Sequence, residues 1–242
     1  MTASPLRPAG DAAELDASPA PTEYEGWFTF HVDAPVPEPA PSPKAAPSPK
    51  TARGEATRRA ILDAAQRVIG TVGFNDASIT AITREARVAS GTFYIYFRSK
   101  EEVFEALVLD MGRSLRRALT AATEGAPDRL AAEKAGLRAF LAFVIAHPSL
   151  YRIIREALFV APAVYRAYFQ SFADGYRAGL AAAVARGEIR PGDDETRAWM
   201  LIGISVTLGE RYVVFGETRP VEELVEGAHA MILHGLSPRT LA

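Results

Sequence analysis

An all-α fold is predicted by three observations. Apolar residues recur at the three-and-four spacing that lines one face of a helix from Ile61 onward. No stretch beyond Gly54 shows the two-residue alternation of a half-buried strand. Serines, glycines and prolines stand at the breaks between apolar runs, where helices begin and end.

Taken in order, Ile61, Leu62, Ala65, Val68, Ile69 and Val72 define a first helix, and Gly73 is its expected C-cap. Ser78 caps a second, short helix in which Ile79, Ile82 and Ala86 share a face. A break at Arg87 to Ala89 leads to Ser90, expected to cap a third helix ending near Phe97. Ser99 and Glu102 form a capping box that opens a fourth helix carrying Val103, Phe104, Leu107, Val108 and Met111. Beyond Gly125, helices are predicted over 128–146, 149–158, 163–186, 193–215 and 221–236, divided by Pro127, Pro148, Pro162, Gly187, Pro191, Gly216 and Pro220.

The helix over 193–215 is apolar on nearly every side from Trp199 to Leu208, so it must be covered on every side. A second copy of the same surface supplies that cover in a twofold dimer with a four-helix interface; a helix central to its own domain is the alternative. The first 50 residues contain eleven of the 17 prolines and repeat APSPK. Residues 1–52 are therefore expected to be a disordered or polyproline-like leader. Within it, Tyr24, Trp27, Phe28 and Phe30 suit either a short strand or docking peptide, or an unstructured sticky patch.

The chain of 242 residues is 48% hydrophobic and has no Cys, which excludes disulfides, thiolate nucleophiles and cysteine metal sites. It lacks a run of about 18 apolar residues and the basic, then apolar, start of a secretory signal. A cytoplasmic protein with no membrane partner is expected. The formal charge of -2 hides an uneven distribution: residues 1–50 carry a net of -4, residues 51–100 a net of +4. A basic segment in a mildly acidic chain suits phosphate binding.

The basic segment contains GTFYIYFRSK, residues 91–100, with apolar or aromatic groups on every side of a short helix. Phe93 and Phe97, at i and i+4, share the inward face, which leaves Tyr94, Ile95 and Tyr96 pointing outward. Two short helices behind a longer supporting one make a helix-turn-helix over about 77–97. An outward face of this kind suits a duplex major groove. Ala89, Ser90, Gly91 and Thr92 would reach base edges, the tyrosine hydroxyls and Lys100 would meet phosphates, and Gly91 would permit close backbone approach.

Residues 58–107, RRAILDAAQRVIGTVGFNDASITAITREARVASGTFYIYFRSKEEVFEAL, resemble the tetracycline-repressor (TetR) family of bacterial transcription regulators. The resemblance implies a three-helix DNA-binding domain over 53–113 and a helical ligand-binding and dimerisation domain over 114–242. It implies a homodimer paired through the two C-terminal helices and a double-stranded operator; no cofactor is expected. Carried over residue by residue, it places DNA contacts on Ser78, Thr80, Ser90, Gly91, Thr92, Tyr94, Tyr96 and Lys100. Where the family often has Gly, this chain has Arg87; a left-handed backbone there costs about 1 kcal/mol, which a phosphate contact by Arg87 would offset. A dimer meets half-sites about 34 to 36 Å apart, so a rotation transmitted by the fourth helix would release it.

For an effector, aromatic and polar groups interleave in the central helices: Phe140, Phe143, His147, Tyr151, Phe159, Tyr165, Tyr168, Phe169, Phe172, Trp199 and Tyr212. The same pattern is that of ordinary core packing, but it suits an apolar cavity with few directing groups. Arg152, Arg155, Arg166, Arg177 and Arg211 suit either a solvated surface or an anionic hydrophobic ligand. The stretch from HPSLYRIIREALF to FADGYRAGL is similar to TetR-family regulators of fatty-acid or acyl-CoA metabolism, which makes an acyl-CoA the first candidate and a neutral aromatic molecule its rival.

An enzyme is unsupported. His31, His147, His229 and His234 have no metal-type spacing, and no G-x-S-x-G, P-loop or G-x-G-x-x-G run occurs. An interaction adaptor acting through the Pro-rich leader, without specific DNA binding, is the remaining alternative.

Overall fold

The computed structural model describes residues 51–236, and these form helices joined by short turns. The expected leader, with its aromatic patch at 24–30, lies outside the described residues except at its end. There Thr51 caps the first helix and Ala52 begins it.

Helix α1, Ala52–Val72, starts where the Thr51 side chain accepts the Gly54 N–H at 3.1 Å. It buries Ile61, Leu62, Ala65 and Ile69 and ends at Gly73, whose φ of 88° favours a residue without Cβ. Helix α2, Ile79–Ala86, begins at Ser78, which accepts from the Ala81 N–H at 3.1 Å. It stops at Arg87 in the left-handed region, φ 56° and ψ 42°, the one non-glycine residue there among the described residues. Helix α3, Ser90–Tyr96, differs from expectation at its start. Ala89 is the cap and has no side-chain hydrogen bond, so Ser90 is already inside the first turn and its hydroxyl is not used as a cap.

Helix α4, Lys100–Thr123, opens with Ser99 Oγ accepting the Glu102 N–H, while the Glu102 carboxylate accepts the Arg98 N–H at 2.6 Å. Its first half packs Val103, Phe104 and Leu107 against α1, and its second half packs against α5 and α7. A domain boundary at 113 therefore cuts one continuous helix, and α4 is shared by both domains.

The remaining helices are α5 Arg129–Ala146, α6 Ser149–Val160, α7 Pro162–Ala185, α8 Asp194–Val213 and α9 Val221–Leu236. Asp128 and Asp193 cap α5 and α8, and Pro162 occupies the first turn of α7, where no backbone donor is missed. The chain turns by 92° between α5 and α6. This swings α6 across to α1 while α7 and α8 pair, and α5 packs on α8 and α9. One apolar core runs from Ile61 in α1 through Phe104 and Phe140 to Val225 in α9, with a smaller cluster around Leu180, Ile189 and Ile232. Among the described residues, no single helix is long and apolar enough to cross a membrane.

Helix α8 is only partly covered within the chain. Ala198, Leu201 and Ile202 are buried, whereas Met200, Gly203 and Thr207 are exposed; on α9, Ala230 and Met231 are exposed as well.

Candidate nucleic-acid interface and effector chamber

The outward face of α3 is set by what the inner face buries. Phe93 and Phe97 are enclosed, their rings tilted at 45° with centres 5.8 Å apart, and Arg58 lies over the Phe97 ring. The opposite side therefore carries Gly91 and Ile95, one turn apart, with Tyr94 beside them. Tyr94 is 56% and Ile95 67% exposed, while Ser90 and Gly91 are open to solvent and Thr92 is half-buried. Nothing stands within 4 Å of where a Gly91 Cβ would be. Tyr96, expected outward, is instead half-buried against the core, because it lies on the same side of the short helix as Phe93. On α2, Ser78 and Thr80 are both exposed at its first turn.

Lys100 departs most from expectation. Its ammonium donates to the carbonyls of Phe74 at 2.7 Å, Asn75 at 3.2 Å and Ala77 at 2.9 Å, and sits 4.3 Å from the Phe74 ring centre. All three protons are occupied, so the side chain braces the turn between α1 and α2 rather than reaching for a phosphate. The charges that are free lie elsewhere. Of the arginines in 51–100, Arg59 is held by Asp63 and Asp110 and Arg67 by Glu85. Arg53, Arg84, Arg87 and Arg98 are exposed and form no ion pair among the described residues. Sequence reasoning found Arg87 by its backbone, but Arg84 and Arg98 carry no signal that separates them from the paired ones.

The C-terminal helices enclose adjoining cavities. One of about 330 Å³ lies between α5, α6, α7 and α8 and is lined by Phe140, Tyr151, Arg155, Phe159, Tyr165 and Tyr168, among others. A small cavity of about 40 Å³ shares Phe140 and Tyr168 with it, and shares Phe172 and Tyr176 with a recess of about 280 Å³ between α4, α5 and α7. The Tyr151 hydroxyl donates to the Val206 carbonyl at 2.7 Å, and burial pushes the Tyr151 and Tyr168 hydroxyls well above the usual phenol range. Both are therefore neutral at ordinary pH.

Of the expected effector contacts, Phe140, Tyr151, Arg155, Phe159, Tyr168 and Phe172 come together around these cavities. Three do not fit as expected. Phe143 and His147 stack on each other at 4.3 Å, and His147 Nδ1 lies 2.8 Å from the Phe143 carbonyl, so the pair closes the end of α5 and lines no cavity described here. Trp199 sits over an open recess on the outer side of α7 and α8 and donates its indole N–H to Glu195 at 3.0 Å. Arg155 lines the cavity with its charge already paired to Glu210 at 2.5 Å. The same holds for most of the arginines offered as anion receptors: Arg152 reaches the Thr71 carbonyl and Glu156, Arg177 reaches Asp174 and Glu195, and Arg211 reaches Glu217.

Helix α6 belongs to both sites. Tyr151, Ile154, Arg155 and Leu158 line the larger cavity. From the same helix, the Glu156 carboxylate accepts the Phe74 N–H at 2.7 Å, and the Arg152 guanidinium donates to the Thr71 carbonyl at 2.5 Å. Phe74 is also one of the residues whose carbonyl holds Lys100.

The geometry defines a class: an all-helical protein with a helix-turn-helix at one end and a partly hollow helical domain at the other. Residues 61–107 match the family of bacterial regulatory proteins described as the tetR family. The match lies within the helix-turn-helix end of the chain, and it is this segment that is similar to the tetR family. Residues of the chain are 42% identical over 64 positions to the HTH-type transcriptional regulator BetI of Cronobacter sakazakii, covering 26% of this chain and 32% of that one. They are 33% identical over 115 positions to BetI of Escherichia coli, covering 40% and 59%. The chain thus spans about a third to three-fifths of these curated relatives. The fold is shared with the fatty acid degradation regulator FadR of Bacillus halodurans, at 22% identity and a TM-score of 0.67 over 79% of this chain and all of that one.

Proposed function

We propose that the protein is a ligand-responsive transcriptional regulator that binds a palindromic DNA operator as a homodimer. The observation that carries this reading is that Arg84, Arg87 and Arg98 are exposed and form no ion pair among the described residues, around a helix whose outer face is Gly91, Tyr94 and Ile95. Phosphates would satisfy the guanidiniums, while Ser78, Thr80, Ser90, Gly91, Thr92 and Tyr94 lie within the same approach. Tyr96, half-buried against the core, lies outside this set.

The uncovered faces of α8 and α9 around Met200, Gly203, Thr207 and Met231 are the surface through which two copies pair. The effector is a small hydrophobic molecule held by the cavities beside Phe140 and Tyr168, and acyl-CoA is the first candidate class. The fatty-acid role in the name of the Bacillus halodurans protein supports that choice. Ligand that displaces α6 would pull Glu156 and Arg152 on the turn at Thr71 to Phe74, in addition to any rotation carried by α4. The working compartment is the cytoplasm, where the operator is.

Binding to genomic fragments, recovered by footprinting and measured by fluorescence anisotropy across a salt series, tests this reading. Affinity should fall steeply with salt, and an acyl-CoA should release the operator; affinity indifferent to salt and sequence would overturn it.

A further inference from the structure

The outer side of α3 carries one group that phosphate contacts leave unexplained. Ile95 is 67% exposed, more than Val72 or Tyr94, the other exposed large apolar residues of residues 51–100. Its side chain has no polar atom, so it neither donates to a phosphate nor pairs with a polar base edge. A single exposed isoleucine is ordinary on a protein surface, and its surroundings are what set this one apart. Gly91 lies one turn before it on the same face, and nothing stands within 4 Å of where a Gly91 Cβ would be. The bare backbone at Gly91 lets a partner come close, and Ile95 is the next side chain that partner meets.

Helix α3 is seven residues long, a rise of about 10 Å, against a major groove about 12 Å wide. Arg87 precedes the helix and Arg98 follows it; both are exposed and form no ion pair among the described residues. A guanidinium at each end suits the phosphates of the two strands that border the groove, which leaves the middle of the helix, Gly91 to Ile95, over the base edges. Those edges present donors and acceptors, with one apolar exception: the C5-methyl group of thymine, which 5-methylcytosine also carries. Against any other edge Ile95 would strip water from a polar atom and offer nothing in return.

We infer that Ile95 is a specificity-determining residue that reads a pyrimidine C5-methyl group in the major groove, in thymine or in 5-methylcytosine. This rests on the operator-binding reading above and deepens it. The guanidiniums set affinity for any duplex and its dependence on salt, whereas Ile95 adds a preference that salt does not screen. Burying one methyl group is worth about fourfold in affinity, so a symmetric dimer that meets one such base in each half-site gains about fifteenfold.

Operator duplexes recovered by footprinting are resynthesised with deoxyuridine for each thymidine in turn, and with 5-methyldeoxycytidine for each deoxycytidine. Anisotropy with the full chain then tests the assignment. Removing the methyl at one thymine in both half-sites should weaken binding by about fifteenfold. Ile95→Ala should be indifferent to that same change while keeping the salt slope of the parent chain. A gain at one methylated cytosine, in place of a loss at a thymine, assigns the contact to 5-methylcytosine and supports the inference equally. Sensitivity at no position, or sensitivity that Ile95→Ala retains, overturns the inference while operator binding stands. If Ile95→Ala fails to fold, Ile95→Val decides: a methyl effect smaller than the parent's supports the contact, and an equal one overturns it. If no fragment binds specifically, the operator-binding reading fails and this inference with it.

Discussion

Arginine is ion-paired more often in the C-terminal helices than around the helix-turn-helix, although Arg116, Arg117, Arg166 and Arg190 form no ion pair among the described residues. In the C-terminal helices Arg138 meets Glu222, Arg155 meets Glu210, Arg177 meets Glu195 and Arg186 meets Glu188. Around the helix-turn-helix, Arg84, Arg87 and Arg98 stand exposed and form no ion pair among the described residues, although Arg59 and Arg67 of α1 are paired. Exposed ion pairs of the first kind add about 1 kcal/mol or less to stability. Their distribution therefore says little about folding. It says more about which surface keeps its positive charge for a partner.

The largest effect should come from the face that aims this charge. Phe93→Ala removes a ring fully enclosed behind α3 and should cost about 3 to 5 kcal/mol in denaturant unfolding, with operator binding lost alongside. Lys100→Met comes next. Cutting three donations to the α1–α2 turn should cost about 2 to 3 kcal/mol, yet the salt slope of any remaining DNA binding should stay as in the parent chain. A reduced slope would return Lys100 to the phosphate-contacting set.

Arg98→Ala and Arg84→Ala should each leave the melting curve within about 0.5 kcal/mol and lower the salt slope by about one, whereas Arg177→Ala should change neither. Equal salt slopes for Arg84→Ala and Arg177→Ala would erase the contrast between the halves. The smallest and most discriminating change is Arg87→Gly. Relief of the left-handed backbone should raise stability by up to about 1 kcal/mol while operator affinity falls, a split between calorimetry and anisotropy that a purely structural role would not give.

Much of this was legible in the residues themselves. Ser78 and Ser99 cap the helices they were expected to cap, Gly73 ends α1, and Phe93 with Phe97 closes the inner face of α3. Ser90 failed as a cap because the turn begins one residue earlier, a shift that local spacing does not resolve. The effector residues were harder. Phe140 and Phe143 both lie in α5, but one lines a cavity and the other stacks on His147, and only the packing of α7 and α8 on α5 tells them apart. Trp199 was expected at the cavity as one of the aromatics interleaved with polar groups in the central helices, and its place on the outer side follows from how α7 packs on α8.

What the residue order determined alone is the all-α architecture, the helix starts at Ser78 and Ser99, and the buried seam of α3. These depend on hydrogen bonds and side-chain repeats within about four residues, which any stretch of chain carries with it. The tertiary structure decided which charges are free and which are taken. Lys100 is held by a carbonyl 23 residues earlier, and Glu156 takes a backbone donor 82 residues away. Arg84 and Arg87 form no ion pair among the described residues, whereas Arg59 meets Asp110 from α4 and Arg67 meets Glu85 from α2. Charge is satisfied across space, and only the folded chain says what lies across from each side chain.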